Sequence, residues 1–85
     1  MDLKSSFENA VIESKALAQR PSNSDLLKLY SLYKQSTEGD NAGTEPSNPY
    51  DFVAKAKYSA WAELKGLSKE AAMQQYIDLV NALKG

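Results

Sequence analysis

The run SKEAAMQQYIDLVNALK, residues 68–84, decides the fold class. Met73, Tyr76, Ile77, Val80 and Leu83 recur at i, i+3, i+4 and i+7, the one-sided stripe of a helix laid on a core. Ser68 offers an N-cap oxygen, and Glu70 in the first turn suits the helix dipole. Upstream, Gly66 stops a segment spanning about Asp51 to Leu64, with Asp51 as its cap. There Val53, Ala56, Lys57, Ala60, Trp61 and Leu64 share one broad face. A further segment, about Asp25 to Thr37, carries Leu26, Leu29, Tyr30 and Tyr33 in a stripe widened by Leu27 and Leu32. Ser22, Asn23 and Ser24 supply capping side chains, and Gly39 supplies the stop. The first segment, roughly Asp2 to Ala18, places Leu3, Phe7, Ala10, Val11, Ser14, Leu17 and Ala18 at helical spacing. Arg20-Pro21 is expected to end it, because proline disfavours helix in the residue before it.

Between the second and third segments, EGDNAGTEPSNP (residues 38–49) breaks both periodicities with Gly, Pro, Asn and Ser. It reads as one long ordered loop, a length often tied to function. Strand-like alternation and internal repeats are absent from the sequence. The expected fold is all-α, a four-helix bundle, with residues 1–85 as a single domain.

Composition narrows the chemistry. The 85 residues contain no Cys and no His. Disulfides, thiolate nucleophiles and the commonest general base and metal ligand are therefore excluded, and no metal site or catalytic residue is expected. Ten basic against eleven acidic residues give a formal charge of -1, which argues against nonspecific nucleic-acid binding. Apolar runs fall well short of the ~18 residues of a membrane span, and the N-terminus lacks a signal core. The expected location is cytoplasmic.

Two constellations put lysine beside aromatics. In YSLYK, Tyr30 and Lys34 are i, i+4 neighbours with Tyr33 one step round, so phenol and ammonium can approach one anion together. In KAKYSAW, Lys57 and Trp61 bear the same relation, and a Lys on that face would need an anion if buried. On spacing alone the simpler reading is core tyrosines with wet hydroxyls, a solvated Lys34, and Trp61 as the largest core residue. Tyr76 in the last stripe needs a hydroxyl partner when buried. Lys15 beside Val11 and Ser14 reads on spacing as a surface charge.

The stretches YSLYKQSTEGD (30–40) and KAKYSAWAELKGLSKEAAMQQYI (55–77) resemble the acyl-CoA-binding protein family. The likeness runs over essentially the whole chain, including Phe7 and the Arg-Pro break. It implies up-down-down-up topology with a long crossover between helices two and three. It also implies a monomeric, non-enzymatic carrier that binds and buffers long-chain acyl-CoA without a cofactor. Enzymes that produce or consume acyl-CoA are the implied exchange partners. By resemblance, Tyr30, Lys34 and Lys57 hold the 3'-phosphate, Tyr33 and Tyr76 lie beside adenine and ribose, and Lys15 is a basic contact on the nucleotide side. Phe7, Ala10, Val11 and Leu27 would line the acyl groove. The chain departs from the family pattern with Tyr58 in place of a common Trp, Val53 in place of a common basic residue, and a loop about one residue longer. The competing function is a helical protein-interaction module with no small-molecule ligand, which gives no reason for lysines to share faces with aromatics.

Overall fold

The computed structural model describes residues 2–41, 43 and 47–84. Among the described residues, four helices account for the regular structure: α1 (Leu3–Ser14), α2 (Asn23–Glu38), α3 (Phe52–Ala62) and α4 (Lys69–Lys84). Each starts on a side-chain oxygen that accepts from the backbone N–H three residues ahead. Asp2 accepts from Ser5 at 2.7 Å, Ser22 from Asp25 at 3.1 Å, Asp51 from Ala54 at 3.0 Å and Ser68 from Ala71 at 3.0 Å. These bonds satisfy N–H groups that a helix leaves without internal partners. Gly39 closes α2 at φ 81°, a left-handed conformation open to glycine, and its N–H still reaches the Gln35 carbonyl at 3.2 Å.

Helix α1 is shorter than its periodicity suggests and ends well before Arg20-Pro21. The Ser14 hydroxyl bonds back to the Val11 carbonyl at 2.7 Å, while the N–H groups of Lys15 and Ala16 take i−3 carbonyls. That tight last turn ends the helix before the proline can act, and leaves Leu17 and Ala18 outside it. Residues 63–66 likewise turn out of α3, so Leu64 lies beyond the helix end.

The core comprises Phe7 and Ala10 of α1, Leu29 and Leu32 of α2, and Ala72, Tyr76 and Val80 of α4. Helix α3 contributes no fully buried side chain, and Trp61 is only half-buried. The reading of Trp61 as a core residue is therefore corrected. Helix α3 packs on α2 alone, whereas α4 packs on both α1 and α2. A broad apolar face with one neighbour cannot be covered completely.

Contacts along the helices give their directions. Lys4 and Lys69 line one cavity at one end, and Glu13 pairs with Lys84 at the other, so α1 and α4 run parallel. Thr37, at the end of α2, lies on the same cavity as the starts of α1 and α4, so α2 runs against both. Leu26 and Leu27 meet Phe52 and Val53, while Trp61 meets the end of α2 at Gly39, so α3 follows α2 in parallel. The order is up-down-down-up. Parallel neighbours require a connection that travels back the length of a helix, and residues 39–51 make it. Residues 42 and 44–46, and with them part of the expected ordered loop, lie outside the described residues. Glu38, expected in that loop, is the last residue of α2.

The described ends of the crossover are pinned. Tyr58 donates its hydroxyl to the Gly43 carbonyl at 3.3 Å, and the Asp40 carboxylate accepts from Gly66 N–H at 2.8 Å and from Gln35 Nε2 at 2.9 Å. Gln35, fully buried, also donates to the Leu67 carbonyl at 2.7 Å. The end of α2, the start of the crossover and the α3–α4 turn thus meet at one polar node. The Gly66 N–H, and secondarily Gln35, hold the Asp40 carboxyl below its ordinary pKa.

Candidate functional site

The parallel run of α2 and α3 brings cations from both helices onto one ring. Lys57 Nζ lies 5.1 Å from the centre of the Tyr30 ring, and Lys34 Nζ lies 6.0 Å from the same centre. Lys34 also lies 5.6 Å from the Trp61 ring. The negative ring faces attract the ammonium groups and hold them at these positions. Lys34 further pairs with Glu38 at 2.7 Å, and that hydrogen bond raises its pKa against the opposing effect of partial burial. Lys57, on the helix least enclosed by neighbours, is exposed.

Next to this cluster, Lys15, Tyr30, Tyr33 and Tyr76 line a common cavity of about 340 Å³ together with Val11, Ser14 and Leu29. Tyr76 is buried, and its hydroxyl donates to Ser14 Oγ at 3.0 Å, the partner that a buried phenol needs. Burial holds the Tyr76 phenol above its ordinary pKa, with the Ser14 bond opposing. Phe7 supports two of these tyrosines from below. It stacks on Tyr33 at 6.1 Å between centroids and meets Tyr76 edge-on at 5.2 Å. The six residues expected on the nucleotide side are thereby brought together, from all four helical segments.

The four residues expected in the acyl groove are not brought together. Phe7 and Ala10 are core residues. Phe7 and Val11 edge a cavity of about 640 Å³ over α1 and α4, which Ile12, Tyr33 and Met73 also line. Leu27 lies on the other side of α2. There a cleft of about 450 Å³ opens between α2 and α3, lined by Arg20, Leu26, Leu27, Phe52, Val53 and Ala56, with Lys57 at its edge. Phe52 and Val53 are 73% and 64% exposed, an unusual condition for large apolar side chains at adjacent positions. Periodicity puts Val53 on the apolar face of the third segment, but nothing in the sequence analysis singles out Phe52. The available signal was a pair of bulky apolar residues directly after a cap, at the exposed mouth of a helix. Glu38 was also missed, as a member of a loop.

Among the described residues, no group of acidic, His or Cys side chains is placed to hold a metal, and no helix is long and apolar enough to cross a membrane.

Lysines lie against aromatic rings beside a tyrosine-lined cavity, and an apolar cleft opens between α2 and α3 of this helical bundle. Comparison with known proteins gives the family. The sequence profile described as Acyl CoA binding protein matches residues 4–80. Acyl-CoA-binding protein homolog 1 of Caenorhabditis elegans is 49% identical over 78 residues, covering 92% of this chain and 90% of that protein. Enoyl-CoA delta isomerase 2 of Rattus norvegicus is 49% identical over 77 residues, 91% of this chain but 19% of the isomerase. In three dimensions, the crystal structure of Oryza sativa Acyl-CoA-Binding Protein 2 is similar with a TM-score of 0.90 at 38% identity, covering 96% of this chain and 90% of that one. The chain belongs to the acyl-CoA-binding protein family. Membership supports acyl-CoA binding in general.

Proposed function

We propose that this chain binds long-chain acyl-CoA thioesters, one per chain, and carries or buffers them without chemical change. The observation that carries the proposal is the seating of Lys34 and Lys57, from different helices, against the single Tyr30 ring. An anion placed there meets two ammonium groups and a phenol hydroxyl, a donor set suited to a phosphate monoester. The 3'-phosphate of coenzyme A is assigned to this point. Adenine and ribose are assigned to the adjoining cavity of Lys15, Tyr33 and Tyr76, where aromatic faces accept a flat base.

The acyl chain is assigned to the α2–α3 cleft, because Lys57 borders both that cleft and the phosphate position. Leu27 keeps its expected role there. Phe7 and Ala10 serve the groove only from beneath, by holding up the tyrosines and closing the core. Burying an acyl chain contributes roughly 0.8 kcal/mol per methylene, on the order of 11 kcal/mol for sixteen carbons before ordering costs. Nanomolar binding requires about 12 kcal/mol net, so tail and phosphate together suffice. A free fatty acid would lack the phosphate half of that sum.

Hydrolysis or acyl transfer needs an activated nucleophile or a metal-bound water. The sequence contains neither Cys nor His, the commonest thiol nucleophile and general base of such reactions. Titration with palmitoyl-CoA, with free thiol monitored in parallel, tests the proposal. Saturation at one ligand per chain with no thiol release above buffer is expected. Multiple-turnover thiol release would make the protein an enzyme, and absence of saturable binding would leave the interaction-module reading.

A further inference from the structure

Glu38 has no evident structural reason to be where it is. It is the last residue of α2, and the last turn holds no basic residue. A carboxylate there faces the negative end of the helix dipole. Its i, i+4 pairing with Lys34 runs in the weaker order, with the cation N-terminal to the anion. Glu38 is exposed and Lys34 only partly buried, so the pair adds little to stability. Yet the carboxylate oxygen lies 2.7 Å from Lys34 Nζ, and that ammonium is held against Tyr30 and Trp61. An oxyanion of this chain thus contacts the cation that faces the Tyr30 ring.

We propose that Glu38 is an internal competitor for Lys34 and sets the affinity and selectivity of the anion site, an inference that rests on the phosphate assignment above. Two consequences follow from the geometry. A ligand phosphate must draw Lys34 away from Glu38 or share it, and the carboxylate then stands as a like charge beside the phosphate. A singly charged anion gains too little from Lys34 to offset that exchange. A phosphate monoester, which carries close to two charges and three acceptor oxygens, gains more. Because the pair is weak in itself, it filters ligands without sealing the site.

The test is a set of calorimetric titrations with palmitoyl-CoA and with 3'-dephospho-palmitoyl-CoA, on wild type, Glu38→Gln, Lys34→Ala and the double variant. Glu38→Gln lies at an exposed helix end, and circular dichroism will verify that the fold is kept. It is expected to tighten palmitoyl-CoA about two- to sixfold. It should change the dephospho ligand much less, and it should have little effect once Lys34 is Ala. A wild type that prefers the phosphorylated ligand, with Glu38→Gln binding no tighter, would overturn the competitor role and leave the phosphate assignment standing. Equal tightening with and without Lys34 would also overturn it, because the effect would then be general charge and not possession of that lysine. A wild type indifferent to the 3'-phosphate would remove the phosphate assignment and this inference together.

Discussion

Trp61 donates its indole N–H to the Gly39 carbonyl at 2.9 Å, joining the end of α3 to the residue that terminates α2. The bond satisfies a carbonyl at the helix stop and fixes the indole face toward Lys34. It is also one of the contacts that hold α3, a helix with a single packing neighbour, in register.

Trp61→Ala is expected to destabilise by about 2–3 kcal/mol, below the usual cost for a fully buried ring, because the indole is only half-buried. Trp61→Phe keeps most of the apolar contact and loses the hydrogen bond, at about 1 kcal/mol. Urea unfolding followed by circular dichroism separates the two. Equal losses would mean that the N–H contact, and not the ring, holds α3.

Lys34→Ala and Lys57→Ala are each expected to weaken palmitoyl-CoA binding about ten- to a hundredfold, since each removes charge-assisted contacts at a partly exposed site. Affinity should still rise with acyl length in both variants. Added salt should weaken the wild type more than the double variant, because fewer phosphate contacts remain to be screened. Titrations at two ionic strengths read this directly. A double variant as salt-sensitive as wild type would place the anion elsewhere.

Ala56→Phe is expected to fill the cleft between α2 and α3. It should shorten the preferred acyl chain, with a loss of about tenfold or more for sixteen carbons and little change for eight. Ile12→Phe, on the cavity over α1 and α4, should leave that preference unchanged. The reverse pattern would move the acyl chain to the Phe7 and Val11 side.

Asp40 predicts a response to acid. Its carboxyl is held below the ordinary value by the Gly66 N–H and by Gln35. A depressed folded-state pKa contributes stability above the unfolded pKa, about 3.9, and that stability is lost as pH falls through the folded value. The melting temperature of wild type should therefore fall below about pH 4 more steeply than that of Asp40→Ala. At pH 7, Asp40→Ala should melt lower, because buried Gln35 loses an acceptor. Parallel acid slopes would show that other carboxylates dominate.

The helices were legible because their signals are local. The stripe from Met73 to Leu83 and the capping residues Asp51 and Ser68 each act within a turn or two of themselves. The end of α1 was not legible. Proline at 21 is the louder signal, but the Ser14 hydroxyl ends the helix earlier by bonding to Val11. Periodicity shows which face of α3 is apolar, yet it cannot show that α3 has one neighbour, so Trp61 was placed deeper than it lies. The residues that the family resemblance puts on the nucleotide side lie near one another, since they sit on matched faces of helices whose directions the crossover dictates. The apolar set divides, because Phe7 and Leu27 occupy opposite sides of α2, and no spacing rule distinguishes one side of a buried helix from the other. The Asp40 node depends on residues 35, 40, 66 and 67, brought together only by the fold.

Helix α3 carries Lys57 and one wall of the apolar cleft while burying none of its own side chains fully. An acyl chain lying in that cleft would cover Phe52 and Val53, the apolar surface that the protein itself leaves bare. The cargo would then act as a missing layer of the core. Loading and completing the fold would become one process, and detachment of α3 would be a natural exit route. Amide exchange in α3 should consequently slow on loading far more than in α4, which is already enclosed. The lifetime of the complex would then be governed by a local unfolding rate, and not by diffusion out of a rigid groove.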